Sequence, residues 1–238
     1  MVGIEIKKLH KSFKKNHVLK GVDLVFDKPG IYAILGPNAS GKTTLIKSIL
    51  GMVIPQKGEI FFRGKNIKSS HLYREDLSYL PQIARFPDNL KVSELFNMIQ
   101  DIRNRNGEIE ELVKAFNLEP YLNDKLVNLS GGTKQKVNII LTFMYDNPII
   151  ILDEPTTGLD PVALVYLKKL IKKEKEKGKI VLITTHIMQF VEELADEIVF
   201  LLEGKIYFRG TVNSLLEEYG ETKIENAIAQ ILINEKNN

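Results

Sequence analysis

The residues most able to do chemistry stand in one short run, Gly36-Pro37-Asn38-Ala39-Ser40-Gly41-Lys42-Thr43. It matches GxxxxGK[ST], the phosphate-binding loop or Walker A motif. Its glycines let the backbone turn tightly enough for peptide N–H groups to face phosphate oxygens. The helix that follows adds the positive end of its dipole. In such a loop Lys42 reaches the β- and γ-phosphates, Thr43 offers a hydroxyl to magnesium, and Thr44 donates to the α-phosphate. A second candidate group closes the apolar run Ile149-Ile150-Ile151-Leu152 with Asp153 and Glu154. That is the Walker B pattern. Asp153 is placed to hold magnesium, directly or through water, and Glu154 to polarise an attacking water as general base. Apolar strands often end in acids, so this motif gains its weight from Walker A.

A third group is Leu129-Ser130-Gly131-Gly132-Thr133-Lys134-Gln135. Ser130 reads as a helix N-cap. Its hydroxyl and the N–H groups of Gly131 and Gly132 form an anion site without side-chain charge. Standing alone, it would be an ordinary capped helix after a loop. Lying between the two Walker motifs, it resembles the signature of the ABC (ATP-binding-cassette) ATPases, which begins LSGG. The resemblance runs from about residue 4 to 219 and gives roles to further residues. Gln82 resembles the Q-loop glutamine, also a candidate metal contact, and Asp160, in Gly158-Leu159-Asp160, the D-loop. His186 resembles the switch histidine at the γ-phosphate. Phe13 stands where the family carries an aromatic that stacks on adenine, with Val18 packing on the same base; core packing of Phe13 is the alternative. Ala39 departs from the family by replacing a frequent glycine, and alanine disfavours φ > 0. Thr133-Lys134 also departs from the usual signature.

The elements must bring these groups together. The continuous apolar runs 31–35, 149–152 and 180–184 read as strands buried on both faces. Short alternating segments around Ile4 and Ile6 and over 18–26, 58–62 and 65–67 read as an antiparallel part. Residues 77–80 look strand-like, 90–145 mostly helical, 161–177 helical, 191–195 helical, and 198–202 and 205–208 extended. A final amphipathic helix is expected over 222–234. The expectation is an α/β fold: a P-loop NTPase (RecA-like) core with an antiparallel β subdomain and a helical subdomain over about 83–145. The cassette would span 1–220, followed by a C-terminal helix in 221–238.

Composition narrows the function. The chain has 238 residues, ordinary globular usage and no cysteine, which excludes disulfides, thiolate metal sites and cysteine nucleophiles. A net charge of +3 is too small to argue for nucleic acid. Lys7, Lys8, Lys11, Lys14, Lys15 and Lys20 read as a solvated face or a lipid- or phosphate-facing one. No stretch reaches the length and hydropathy of a transmembrane helix; the best, 138–152, is broken by Asp146, Asn147 and Pro148. A membrane role therefore needs a transmembrane permease subunit as partner. The resemblance implies ATP and Mg²⁺ as ligands and a head-to-tail dimer with a second copy or a homologous subunit. It implies a cytoplasmic location, peripheral on the inner face of the membrane, and docking of the permease near residues 83–95, with Arg85, Phe86 and Pro87 as an exposed tip. Other ATPase classes fit less well: a single Walker A argues against a two-cassette translation ATPase. Lys42 and Asp153 lie only 111 positions apart, too close for the long coiled coil of chromosome ATPases. A soluble cofactor-assembly ATPase stays open. For cargo, residues 79–87, 130–138 and 191–205 resemble the ATPase subunit of Nos-type transporters, which serve copper-site maturation of nitrous-oxide reductase. An exporter of lipid, drug or peptide is the alternative.

Overall fold

Two sheets and a helical layer divide the chain, and the continuous apolar runs mark the strands buried between layers. The structure, a computed structural model, describes residues 3–236. The antiparallel sheet holds β1 (Ile4–Phe13), β2 (Asn16–Phe26), β4 (Lys57–Phe62) and the two-residue β5 (Lys65–Asn66), in the order β2-β1-β4-β5. β1 is longer than its apolar alternation suggests because register shifts between Ile6 and Ser12 break the period of two. Strand structure expected through Ile67 stops at Asn66, whose side chain accepts from Lys68 N and starts a 3₁₀ turn.

The second sheet runs β10 (Lys205–Gly210), β9 (Glu197–Leu202), β3 (Gly30–Leu35), β8 (Ile180–Thr184), β7 (Ile149–Asp153), β6 (Leu77–Leu80). All its pairs are parallel except β10 with β9. Every residue of β3, β7 and β8 is buried, as continuous apolar runs between two layers require. The helices are α1 (Lys42–Ile49), α2 (Val92–Arg103), α3 (Glu110–Ala115), α4 (Gly131–Phe143), α5 (Pro161–Glu176), α6 (Met188–Leu194), α7 (Val212–Tyr219) and α8 (Ile224–Lys236).

Three apolar clusters hold these layers. One joins the helical part, α2 to α4, to α5 and to one face of β7 and β8; it includes Phe96, Phe116 and Val137. Another lies between the antiparallel sheet, α1 and the opposite faces of β7 and β8. The third packs α7 and α8 through Leu215, Ile224, Ala227 and Ile231 against Leu35, Phe200 and Val191. α7 is not among the sequence expectations, although Thr211 caps its start and Gly220, at φ 63°, ends it. The expected C-terminal helix is present two residues further on and closes the same core. No helix among the described residues is long and apolar enough to cross a membrane.

Candidate nucleotide site

The carboxyl ends of parallel strands are where open α/β sheets bind ligands. Here β3, β8, β7 and β6 are adjacent, so the loops after them converge. The P-loop follows β3, Asp153 and Glu154 end β7, Thr184 to His186 end β8, and Gln82 follows β6. Between them is a cleft of about 370 Å³ lined by residues 38–44, Asn16, Val18, Gln82, Asp153 and Glu154. Expected ligand residues Asn38, Ala39, Ser40, Gly41, Lys42, Thr43, Thr44, Val18, Gln82 and Asp153 are thus together.

The loop's geometry has identifiable causes. A side chain at Gly36 would place its Cβ 2.0 Å from Leu201 O, so only glycine lets the loop pass beneath β9. Lys42 Nζ donates to Gly36 O at 2.7 Å and to Pro37 O at 3.0 Å, folding across the loop. Burial pushes its ammonium below the ordinary lysine value, opposed in part by Glu154 and Asp153. A half-buried cation held by carbonyls alone gains from an entering phosphate. Ser40 Oγ is the one buried side-chain polar atom without a partner among the described residues. The loop is therefore incompletely satisfied by the chain's own groups.

Ala39 lies at φ 65°, the left-handed conformation the sequence made costly. The strain is worth about 1–2 kcal/mol for a residue with a Cβ. Ala39→Gly is expected to raise the nucleotide-free Tm by a few degrees, since about 1 kcal/mol is about 2–4 °C at this chain length. Thermal unfolding followed by circular dichroism checks it, and an unchanged or lower Tm would contradict the strain.

The acids are held differently. In the β7–β8 register Asp153 faces Thr184, and the Thr184 hydroxyl donates to Asp153 Oδ1. Glu154 sits at φ 52°, with its N–H donating to Thr184 O at 3.0 Å. A non-glycine residue in that region at the end of a buried strand marks a position where the carboxylate's direction is enforced. Glu154 Oε2 lies 2.9 Å from His186 Nδ1, and the imidazole is otherwise solvent-facing, with 75% of its side chain exposed. With the carboxylate ionised, Nδ1 is the donor. Thr184 is a contributor that sequence reasoning missed; its only local signal was a hydroxyl ending an apolar strand, and the register that sets it opposite Asp153 comes from the fold. Asn16, also missed, pairs with Phe13 across the β1–β2 turn.

Other expected residues lie elsewhere. Phe13 is 48% exposed, so it is not core; the Lys11 ammonium sits 4.9 Å from its ring, and it does not line the cleft. Gly36 and Pro37 contribute their carbonyls to Lys42 and do not line the cleft either. Ser130, Gly131 and Gly132 form the exposed to half-exposed N-terminus of α4, outside the cleft. An added Cβ at Gly132 would meet Gly158 O at 2.6 Å, so the signature and the D-loop touch through backbone. Asp160 caps α5 through Ala163 N at 2.8 Å and pairs with Lys136 at 2.7 Å. The hydrogen bond from Lys136 is the main reason its carboxyl lies below the ordinary range. α4 is tied to the cleft from behind: Gln135 donates to Pro155 O and Asn138 to Pro81 O, next to Gln82.

No three His, Asp or Glu side chains among the described residues gather to hold a metal by themselves. Among the side chains lining the cleft are the buried carboxylate of Asp153, the Thr43 hydroxyl and the Gln82 carboxamide, with Glu154 beside them. That sparse, all-oxygen set fits magnesium shared with a ligand's phosphates, because Mg²⁺ keeps most of its shell from water and phosphate.

Comparison with known proteins now decides the family: the model described as "ABC transporter" matches residues 19–157. The chain belongs to the ABC transporter family. It is 31% identical over 223 residues to the ABC-type transporter ATP-binding protein EcsA of Bacillus subtilis, covering 91% of this chain and 90% of that one. Among solved structures it is similar to an ATP-binding subunit of an ABC transporter, with a TM-score of 0.90, 28% identity and coverage of 96% and 99% of the two chains. It is also similar to a dimeric post-hydrolysis state of the ATP-binding cassette MJ0796 bound to ADP and Pi. There the TM-score is 0.79, with 25% identity over 88% of this chain and 98% of that one. The protein is thus an ABC transporter ATP-binding subunit and an ATPase of that type.

Proposed function

We infer that this ABC subunit hydrolyses ATP in a head-to-tail dimer with a second copy of itself or a homologous subunit, and drives a transmembrane permease from the inner face of the membrane. The observation that carries the reading is the split site. One chain presents Walker groups, Gln82 and Glu154 in its cleft, while the anion-binding N-terminus of α4 lies outside that cleft and open to a partner. The MJ0796 cassette, a dimer with ADP and Pi, supports the arrangement. Lys42 and the P-loop N–H groups bind the phosphates, Glu154 accepts the proton of the attacking water, and His186 holds Glu154 and faces the γ-phosphate. Asp153, Thr43 and Gln82 would hold Mg²⁺, which screens phosphate charge when bound. Asp160 acts by fixing α5 against α4.

The membrane partner needs a surface near Gln82. Of the predicted tip, Arg85 and Pro87 are exposed, whereas Phe86 is half-buried and packs on the helical core; Ile83, just before it, is 72% exposed. A groove of about 290 Å³, which β6 helps to line, is bordered by Met52, Leu77, Tyr79, Ile99, Leu141 and Tyr145, with Arg74 and Arg103 also lining it. Neither guanidinium has a carboxylate within ion-pair distance among the described residues; Arg103 stacks on Tyr145 and Arg74 donates to Gly51 O. An amphipathic segment carrying an acid suits it. Wild-type chain is expected to retrieve a polytopic membrane protein from detergent-solubilised native membranes, and Arg103→Glu to reduce recovery about tenfold. Recovery of soluble proteins alone would favour the cofactor-assembly reading.

The finer cargo reading, Nos-type copper-site maturation, is supported only by the likeness over residues 79–87, 130–138 and 191–205. With no metal-holding cluster among the described residues, a copper role would be indirect, through the permease. The identity of the retrieved subunit separates it from an exporter of lipid, drug or peptide. Complete copper–sulfide centres in nitrous-oxide reductase from a strain lacking this chain would reject it.

A further inference from the structure

The signature of this chain carries threonine at position 133, and its hydroxyl is 2.8 Å from Ser130 Oγ. Ser130 Oγ also accepts the Thr133 backbone N–H at 3.1 Å. A hydroxyl has two lone pairs and one proton. If both lone pairs of Ser130 are filled by Thr133, through its N–H and its O–H, the Ser130 proton is left to point away from the helix. Thr133 Oγ1 has no other protein partner among the described residues, so no other group of the chain competes for its proton.

The same capping pattern occurs at α7 with the opposite outcome. There Ser214 N donates to Thr211 Oγ1 at 3.1 Å, the two hydroxyls lie 3.2 Å apart, and Ser214 Oγ donates to Thr211 O at 2.9 Å. That carbonyl takes the proton of the third-position residue. The cap hydroxyl must then spend its own proton on Ser214 and offers none outward. At α4 no carbonyl among the described residues takes this part, so the chain of donors can run from Thr133 to Ser130 and on to an acceptor in front of the helix. Each donor in such a chain polarises the next.

We propose that Thr133 is a positioning residue: its hydroxyl holds Ser130 in the rotamer that donates to the γ-phosphate bound by the partner subunit. The proposal rests on the reading that α4 covers the partner's ATP. Thr133→Val keeps the shape and the capping N–H while removing the hydroxyl, and Thr133→Ser restores it. The expected result is an ATPase rate lowered about fivefold in Thr133→Val, the size of one hydrogen bond, and recovered in Thr133→Ser. ATP binding to the isolated subunit should be unchanged. The decisive measurement is the cycle with Ser130→Ala. Once Ser130 is gone, Thr133→Val should cost less than twofold. An equal loss in both backgrounds would show that Thr133 only supports the helix, and a wild-type rate in Thr133→Val alongside an impaired Ser130→Ala would also overturn the proposal. Full activity in Ser130→Ala would instead remove the covering role of the signature, and this proposal with it.

Discussion

Glu154→Gln is expected to bind ATP normally, to hydrolyse it roughly 10²–10⁴ times more slowly, the worth of a positioned general base, and to accumulate as a closed dimer. The structure says why the change should be so selective. Glutamine has the same length and volume, so the buried end of β7 keeps its packing. The left-handed backbone at φ 52° is held by the bond from its N–H to Thr184 O, which the substitution leaves alone. Its side-chain oxygen can still accept from His186 Nδ1. What disappears is a carboxylate able to take a proton from water. The phosphate-binding groups, Lys42 and the P-loop N–H donors, lie on a different strand's loop, and the Lys42 bonds to Gly36 O and Pro37 O are kept. Phosphate release, together with sizing chromatography in magnesium and ATP, measures both halves of the result. Normal turnover would show that another group accepts the proton.

The chemistry was more legible in the sequence than the architecture that focuses it. Gly36, Gly41, Lys42 and Thr43 stand in the order that phosphate binding needs, and the runs 31–35, 149–152 and 180–184 are apolar because both faces of those strands are covered. Strand order was not legible. Nothing local tells β8 to lie between β3 and β7, yet that placement sets Thr184 across from Asp153 and brings His186 to Glu154. These are long-range pairings between short side chains, and they leave no periodic trace. Lys136 with Asp160 is another: one residue is read as a helix position, the other as a loop motif, and only the fold shows them joined at 2.7 Å. The backbone at Ala39 went the other way. Its cost was readable from residue type, and the left-handed φ is there. α7 shows a signal present but unused, since Thr211 and Gly220 bracket it as cap and stop.

The split site leads to the second large effect, a recovery. Ser130→Arg alone should be inactive, because a bulky cation at the start of α4 blocks closure over the partner's nucleotide while leaving its own cleft intact. Lys42→Ala alone should be inactive for the opposite reason. It loses the cation that phosphate needs, and its fold should survive because Lys42 bonds only two loop carbonyls. A mixed dimer has one composite site built from the Walker groups of the Ser130 variant and the signature of the Lys42 variant, and both halves of that site are wild type. Random pairing makes about half of the dimers mixed in a two-fold assembly, with one intact site in each. Mixing is therefore expected to restore about a quarter of the wild-type rate per subunit if each site turns over independently. Closure gives a readout that does not depend on turnover. Neither variant alone should associate in ATP, since one binds nucleotide without a working cover and the other has a cover without nucleotide. The mixture should associate, with about one ATP per mixed dimer. Activity or ATP-driven association in the Ser130→Arg homodimer would place its signature away from the nucleotide. A mixture that neither associates nor hydrolyses ATP, with both subunits folded and the Ser130 variant still binding nucleotide, would mean that α4 and the cleft do not meet across the dimer.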